Sequence, residues 1–459
     1  METAQVTVDL DLIKKYDRPG PRYTSYPPAV HFGAQFAPQI PAQIQGNNRT
    51  AGDLSLYFHL PFCQTLCWYC GCNNVVTRRQ GQSAVYLGYV EKEIDLLARE
   101  LHSGRRVVQL HWGGGTPTFL TPAEIRWLGD LTRRRFRWSP DIEASVEIDP
   151  RRFTADHIQA LCDAGFNRVS MGVQDHNPEV QKAINRIQPR EETEGVFHAL
   201  RREGFSSISV DLIYGLPLQT VDSFSRTLDE VLALEPDRMA IFSYAHVPWI
   251  KPAQKLLEKA GLPTAETKFQ LLKLSVEKLT AAGYACIGMD HFARTDNELA
   301  AAQRNGTLQR NFQGYSTRAG ADVYGVGNSS MSQTADAYWQ NEKNLEDYYA
   351  RLDTGQLPIW SGYVLTADDR VRRQTIMRLM CDFHLSYDAM SRKLGIDFRE
   401  YYATELRSLR DLEDDGLIEL DDNALRVTAA GRLLVRVIAM RFDQFLKARP
   451  AEKVYSRTI

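Results

Sequence analysis

The chain predicts an α/β fold in which parallel strands are joined by helical crossovers, the sheet being either doubly wound or curled into a whole or partial barrel. Two observations carry this. From Leu54 onward, short apolar runs rich in β-branched and aromatic residues alternate six times with amphipathic segments long enough for helices, and polar or glycine-rich motifs stand directly after the runs. The length bounds the organisation: 459 residues is chain enough for about two to four domains, although one barrel absorbs roughly 200 to 250 residues.

Residues 1–53 read as an N-terminal arm or lid. Arg18-Pro19-Gly20-Pro21-Arg22-Tyr23-Thr24-Ser25-Tyr26-Pro27-Pro28 carries four prolines and a glycine, which forbid regular helix or central strand. Strands are expected at 54–60, 107–112, 144–148, 168–173, 207–213 and 239–244, and helices near 82–102, 121–134, 154–164, 190–203, 220–234 and 265–282. These form a core at about 54–282 of a catalytic domain spanning 54–362. In parallel α/β folds the loops after the strands' C-terminal ends share one mouth. Cys63–Cys72, Gly113–Thr118, Asp149-Pro150, Gln174-Asp175 and Tyr214-Gly215 are therefore expected to converge. The stretch 284–362 is less regular and holds Met289-Asp290-His291-Phe292 and a glycine-rich segment, Gly320–Ser330. Residues 366–446 read as three helices, two short strands (417–420 and 425–428) and a final helix, an order resembling a winged helix within a mainly helical C-terminal domain, 363–459. DNA binding is disfavoured there, because the helix expected over Asp397–Gly416 carries seven acids against three arginines.

Composition excludes other classes. Lys plus Arg number 55 against 57 Asp plus Glu, a formal charge of -2, which argues against a protein that coats nucleic acid or an anionic membrane. No stretch approaches 18 uninterrupted apolar residues, and residues 1–30 lack the apolar core of a signal peptide, so a cytoplasmic chain with no membrane partner is expected. Of seven cysteines, Cys162, Cys286 and Cys381 fit buried thiols of a reducing compartment. The other four do not.

Cys63, Cys67, Cys70 and Cys72 fall within ten residues, directly after the first strand. Incidental thiols would not be so dense. A structural zinc site wants a second, distant Cys or Cys/His pair, which the sequence lacks. An iron-sulfur cluster needs soft thiolates on one short loop, which this spacing provides. The pattern Cys63-x3-Cys67-x2-Cys70, with Tyr69 before the third cysteine, resembles the signature of the radical S-adenosylmethionine (SAM) superfamily. That resemblance implies Cys63, Cys67 and Cys70 as ligands of a 4Fe-4S cluster whose fourth iron stays open for SAM. Gly113-Gly114-Gly115-Thr116-Pro117 resembles the superfamily's glycine motif beside the SAM amino group, and only a chain without Cβ lets backbone approach a ligand so closely.

Over essentially its full length the chain resembles the oxygen-independent coproporphyrinogen III oxidase family. The carrying segments are Arg22–Pro27, His59–Cys63, Cys70-Gly71-Cys72, Gly113–Thr118, Glu147–Pro150, Gly172–Asp175, Asp211–Pro217, Met289–Phe292 and Arg310–Tyr315. The resemblance implies a partial (βα)6 TIM-like barrel of the radical SAM type. It also implies anaerobic oxidative decarboxylation of two propionates of coproporphyrinogen III to vinyl groups, giving protoporphyrinogen IX in haem biosynthesis. A 5'-deoxyadenosyl radical, formed when the reduced cluster cleaves SAM, takes hydrogen from the propionate β-carbon. Two SAM molecules, a flavodoxin- or ferredoxin-type electron donor and a monomeric chain complete the expectation.

Carried over by motif, Tyr57, Gly113, Glu147 and, by position, Met331 face the cluster-bound SAM; Met331 stands where the family has a branched aliphatic residue. Tyr69, Gly114, Gly115 or Thr116, Gln174, Arg186, Asp211 and Ala245 face the second. Glu147 and Asp211 suit ribose hydroxyls, which a carboxylate accepts. Catalytic candidates are Tyr23 and Tyr26 in the arm, Cys72 and His291, and Arg22 and Arg186 are candidates for holding propionates. Relatives that have lost the oxidase activity are the rivals: a haem chaperone, which lacks the Tyr-Thr-Ser-Tyr-Pro arm and the fourth cysteine, and a haem-degrading methyltransferase.

Overall fold

The computed structural model describes residues 6–48, 52–447 and 455–457; the remainder of the expected arm, 1–5 and 49–51, lies outside them. Six strands, β1 (Leu54–Leu60), β2 (Arg106–Gly114), β3 (Arg137–Ile148), β4 (Arg168–Gln174), β5 (Ser207–Tyr214) and β6 (Arg238–Ser243), pair in parallel in chain order. They alternate with α1 (Gly81–Glu100), α2 (Pro122–Arg135), α3 (Ala155–Asp163), α4 (Arg190–Arg202), α5 (Val221–Leu232) and α6 (Ala265–Ala281). Local chemistry starts the helices sharply: Thr121 and Glu124 cap α2 reciprocally, with Pro122 in its first turn, and Thr154 and Thr220 cap α3 and α5.

Strand parity sets the character of the interior. Leu110, Trp112, Ala144, Val146, Met171, Val210 and Leu212 are buried under the helices. The alternate residues Gln109, His111, Ser145, Glu147, Ser170, Ser209 and Asp211 line a lumen cavity of about 190 Å3. A barrel filled by branched side chains is a packed core; this one is polar inside and open, as a site for a polar ligand must be.

The expectation of an irregular 284–362 is corrected. Six further strands, β7 (Tyr284–Gly288), β8 (His291–Arg294), β9 (Asp322–Val326), β10 (Met331–Gln333), β11 (Ala337–Asn341) and β12 (Ile359–Val364), extend the sheet to twelve in the order β12-β11-β10-β9-β1-β2-β3-β4-β5-β6-β8-β7. Of these, β9 pairs with β1 in parallel. The sheet is open at both ends, a partial barrel. In the C-terminal domain, Ala367–Asp382 is a regular helix, α7, followed by a three-stranded wing of β13 (His384–Ser386), β14 (Ile418–Leu420) and β15 (Ala424–Val427). The long helix expected over Asp397–Gly416 is instead three short ones, Phe398–Tyr401, Ala403–Arg407 and Arg410–Asp414. Phe398, Tyr402, Leu409 and Leu412 keep the spacing of one helical face across these breaks and are all buried. The final helix is likewise broken, with Val435–Ala439 between two 3-10 turns. Among the described residues no helix is long and apolar enough to cross a membrane.

The described part of the arm packs into both cores. Ile13, Ile40 and Ile44 join the barrel core, whereas Tyr16, Tyr23 and Tyr26 join the core of the C-terminal domain. Arg436 donates from Nε to the Pro21 carbonyl at 3.0 Å, fixing the arm between the two bodies.

One buried carboxyl ties α1 to the far side of the sheet. Glu93 accepts from Gly327 N (2.7 Å), Asn341 Nδ2 (2.6 Å) and Tyr348 Oη (2.6 Å). Burial pushes its carboxyl from 4.5 up to about 7, against the pull of those donors. Because the folded chain holds this proton more tightly than the unfolded one, the group's stabilisation is full below pH about 4.5. It is lost as the pH rises through about 7. Comparing urea unfolding of wild type and Glu93→Gln at the two ends of that range should isolate a difference on the order of 3 kcal/mol; identical pH slopes would contradict it.

Candidate functional site

The strand ends bring the cysteine loop, the glycine turn and two carboxylates to one mouth. After β1 the chain turns so that Phe62 and Cys63 pair with Val75 and Val76, holding the cysteine loop at its base. Each of the sulfurs of Cys63, Cys67 and Cys70 has a polar neighbour. Cys63 Sγ lies 3.4 Å from Thr116 Oγ1; Cys70 Sγ accepts from Cys72 N and Asn74 Nδ2, both at 3.4 Å; Cys67 Sγ accepts from Arg151 and Arg186 at 3.7 and 3.8 Å. A hydrogen bond from the exposed Cys72 thiol lowers Cys70 to about 6 and raises Cys72 well above its usual range, while burial lifts Cys63 to about 11. Among the described residues no three His, Cys, Asp or Glu side chains gather closely enough to hold one metal ion. A four-iron cluster needs a different arrangement, each thiolate on its own iron with N–H donors to the sulfurs, and the loop fits that.

The glycine turn is crowded on every side. A Cβ at Gly113 would stand 2.9 Å from the Glu147 carboxyl, at Gly114 (φ +112) 2.6 Å from the His59 ring, and at Gly115 2.4 Å from the Pro61 carbonyl oxygen. Gly115 N donates to Leu60 O and Thr116 N to Phe62 O, both at 2.8 Å, locking turn and cysteine loop together. Glu147 accepts from Gly114 N at 3.2 Å and lies 3.3 Å from His111 Nε2. Burial would raise its carboxyl, but His111 and the Gly114 amide outweigh it and hold it below the ordinary range. Tyr57 stacks on His111 with ring centres 5.8 Å apart and reaches His59 Nδ1 at 3.2 Å.

Asp211 lies deeper in the lumen, accepting from Ser170 Oγ at 3.1 and 3.0 Å. Burial and the Glu147 charge lift it to about 7. Arg186 is committed to the frame. It donates to Asp149 (3.1 Å), the Gly172 carbonyl (2.8 Å) and Gln188 Oε1 (3.1 Å) as well as to Cys67. Gln174 closes β4 at φ +68, and only a glycine at 172 leaves room for its amide, 2.6 Å from where a Cβ would be. Tyr69 packs against the apolar cluster that holds Leu216 and Tyr244, and Ala245 lines the cavity just past β6. Met331 opens β10, two strands beyond β1 from the glycine turn.

The arm's tyrosines are corrected as catalytic candidates. Tyr23 and Tyr26 are 1% and 0% exposed; Tyr23 donates to Asp443 Oδ2 at 2.9 Å and Tyr26 Oη accepts from Gln444 N at 3.2 Å, so both face the C-terminal core. Of that arm segment Pro19 and Arg22 line the cavity past β5 and β6, Arg22 bonded to Asp290. His291 is held between Phe242 and Tyr315, and burial drives it down to about 3, so it is a neutral imidazole at physiological pH. Its Nδ1 has no hydrogen-bond partner among the described residues.

On the side of the mouth past β5 and β6 lies a cavity of about 480 Å3 lined by Arg22, Tyr214, Trp249, Lys268 and Arg436 among others. The Lys268 ammonium makes no hydrogen bond or ion pair among the described residues, and desolvation lowers it. Neither Lys268 nor the His111–Glu147 pair was singled out from sequence. His111 was within reach, being two residues before Gly113 and so on the lumen side by parity; Lys268 carried no signal beyond its helix.

The Radical SAM superfamily profile matches residues 57–231, and that of the HemN C-terminal domain residues 365–434. The chain is 46% identical to the oxygen-independent coproporphyrinogen III oxidase of Escherichia coli K12 over 460 residues, 100% of both chains. It is 47% identical to that of Pseudomonas aeruginosa over 98% of both. The solved structure of coproporphyrinogen III oxidase from Escherichia coli, described as a radical SAM enzyme, superposes with a TM-score of 0.92 at 45% identity, covering 96% of this chain and 100% of that one.

Proposed function

The chain belongs to the oxygen-independent coproporphyrinogen III oxidase family, and from that premise we propose how its residues convert two propionates of coproporphyrinogen III to vinyl groups, yielding protoporphyrinogen IX. The observation that carries the proposal is the junction of a three-thiol loop with a three-glycine turn at the mouth of a polar barrel. Cys63, Cys67 and Cys70 would hold the 4Fe-4S cluster, with Tyr57, Gly113, Glu147 and Met331 around one SAM. Tyr69, Gly114, Gly115, Thr116, Gln174, Arg186, Asp211 and Ala245 would surround a second. When bound, cluster and SAM would supply the 5'-deoxyadenosyl radical; loss of a hydrogen atom from the propionate β-carbon, of CO2 and of one electron to an external acceptor would then leave the vinyl group.

The protein's part is placement and exclusion. Gly113–Gly115 let Glu147, His59 and the Pro61 carbonyl pack directly against the turn, and Glu147, kept ionised, accepts from ribose hydroxyls. Arg186 positions rather than reacts, tying the Cys67 loop to β4 through Asp149 and Gly172. Arg22 and Lys268 present positive charge to the substrate's carboxylates at the mouth. The arm, clamped under the C-terminal domain, closes the barrel against water. The chain acts as a cytoplasmic monomer, reduced by a small flavodoxin- or ferredoxin-type protein.

Incubated anaerobically with coproporphyrinogen III, SAM and dithionite, the reconstituted protein should form protoporphyrinogen IX. Stoichiometric haem binding with no product would identify a haem-carrying relative instead. Lys268→Ala should raise KM for coproporphyrinogen III about tenfold, the loss of one charge-assisted contact, with kcat little changed. A wild-type KM would remove Lys268 from the substrate site.

A further inference from the structure

A second opening, which shares no lining residue with the lumen or with the 480 Å3 cavity, reaches the cysteine loop. A cavity of about 450 Å3 has Cys63 and Thr116 in its wall and the exposed Gln80, Arg152 and Ile187 among its outer lining. Apolar surface is offered here, with Ile187 58% and Val76 46% exposed. Arg152 in its lining, and Arg78 and Arg79, which precede the lining Gln80 in the chain, are exposed cations without ion pairs among the described residues. They are fixed to the loop by backbone. Val76 pairs with Cys63, Thr77 N donates to Cys63 O at 2.9 Å, and Arg152 follows Arg151, whose guanidinium reaches Cys67 Sγ. Of the acids lining the cavity, Asp149 is already bound by Arg151 and Arg186, which leaves Glu192.

Entry from this side has a chemical rationale. The mouth must hold substrate and exclude water, so a protein reductant cannot dock there without opening it. An electron, unlike a substrate, needs only close approach to the loop. Resting on the function proposed above, we infer that the face around Val76, Arg78, Arg79, Arg152 and Ile187 docks an acidic one-electron carrier protein. Each encounter oxidises the carrier by one electron and reduces the cluster held by Cys63, Cys67 and Cys70 by one. Apolar centre and basic rim match the anatomy of a transient, electrostatically steered interface.

The test is the double variant Arg78→Glu/Arg79→Glu of the reconstituted holoenzyme, with bacterial flavodoxin as probe. Titration calorimetry with oxidised flavodoxin should show binding about tenfold or more weaker than wild type at low salt, and wild-type binding should itself weaken as salt is raised. Flavodoxin-driven turnover should fall by at least the same factor, whereas dithionite-driven turnover, which needs no docking, stays at the wild-type level. Unchanged flavodoxin affinity and unchanged flavodoxin-driven turnover would overturn the inference. Failure of wild type to turn over with dithionite would instead overturn the function on which it rests.

Discussion

Serine at Cys63, Cys67 or Cys70 is expected to remove the iron and all product formation, while serine at Cys72 leaves the iron in place. The argument is ligand chemistry. A serine hydroxyl is a hard, un-ionised donor and a poor replacement for a thiolate on iron. The loop offers no spare, since Cys72 presents to Cys70 a backbone N–H at 3.4 Å that survives its replacement by serine. Anaerobically reconstituted variants should therefore divide into three that lack the brown absorbance near 400 nm, on the order of the whole signal lost, and one that keeps it. Equal iron loss in all four would refute the three-ligand assignment.

Glu147→Ala is expected to weaken SAM binding about 10- to 100-fold. The carboxylate stands where three elements meet, with Gly114 N–H at 3.2 Å, His111 at 3.3 Å and the Cβ-free face of Gly113 against it. Hydrogen bonds to a charged acceptor contribute about 1.5 to 3 kcal/mol each, which sets that range. Glu147→Gln keeps an acceptor and should lose less. Because the carboxyl is held below its ordinary range, the wild-type affinity should be flat from pH 6 to 9 on its account. Equilibrium binding of SAM to reconstituted protein measures this, and wild-type affinity in the alanine variant would remove Glu147 from the SAM site.

What was legible in the sequence was what is encoded locally. The six strands and their helices declare themselves because each repeats its period several times over, and Cys63, Cys67, Cys70 and Gly113–Gly115 because their chemistry is a matter of spacing along one loop. The strands of 284–362 escaped notice because they run three to six residues, too short for a period to emerge. The segment 397–416 reads as one helix because Phe398, Tyr402, Leu409 and Leu412 keep the spacing of a single face, and that period does not mark the places near Tyr402 and Ser408 where the helix is divided. Tyr23 and Tyr26 sit in a proline-rich arm without period, so nothing local says which way they face, and the contacts with Asp443 and Gln444 that decide it lie more than 400 residues away. Lys268 is a functional candidate through its unpaired place at the mouth alone, which only the fold reveals.

The central claim is that one mouth, built by the cysteine loop, the glycine turn and the lumen carboxylates, turns propionates into vinyl groups at the expense of SAM. Anaerobic turnover of coproporphyrinogen III by the loaded protein, with CO2, 5'-deoxyadenosine and tetrapyrrole quantified together, tests it most directly. The account predicts protoporphyrinogen IX with CO2 and 5'-deoxyadenosine rising in step. Cleavage of SAM that leaves every propionate intact would contradict it.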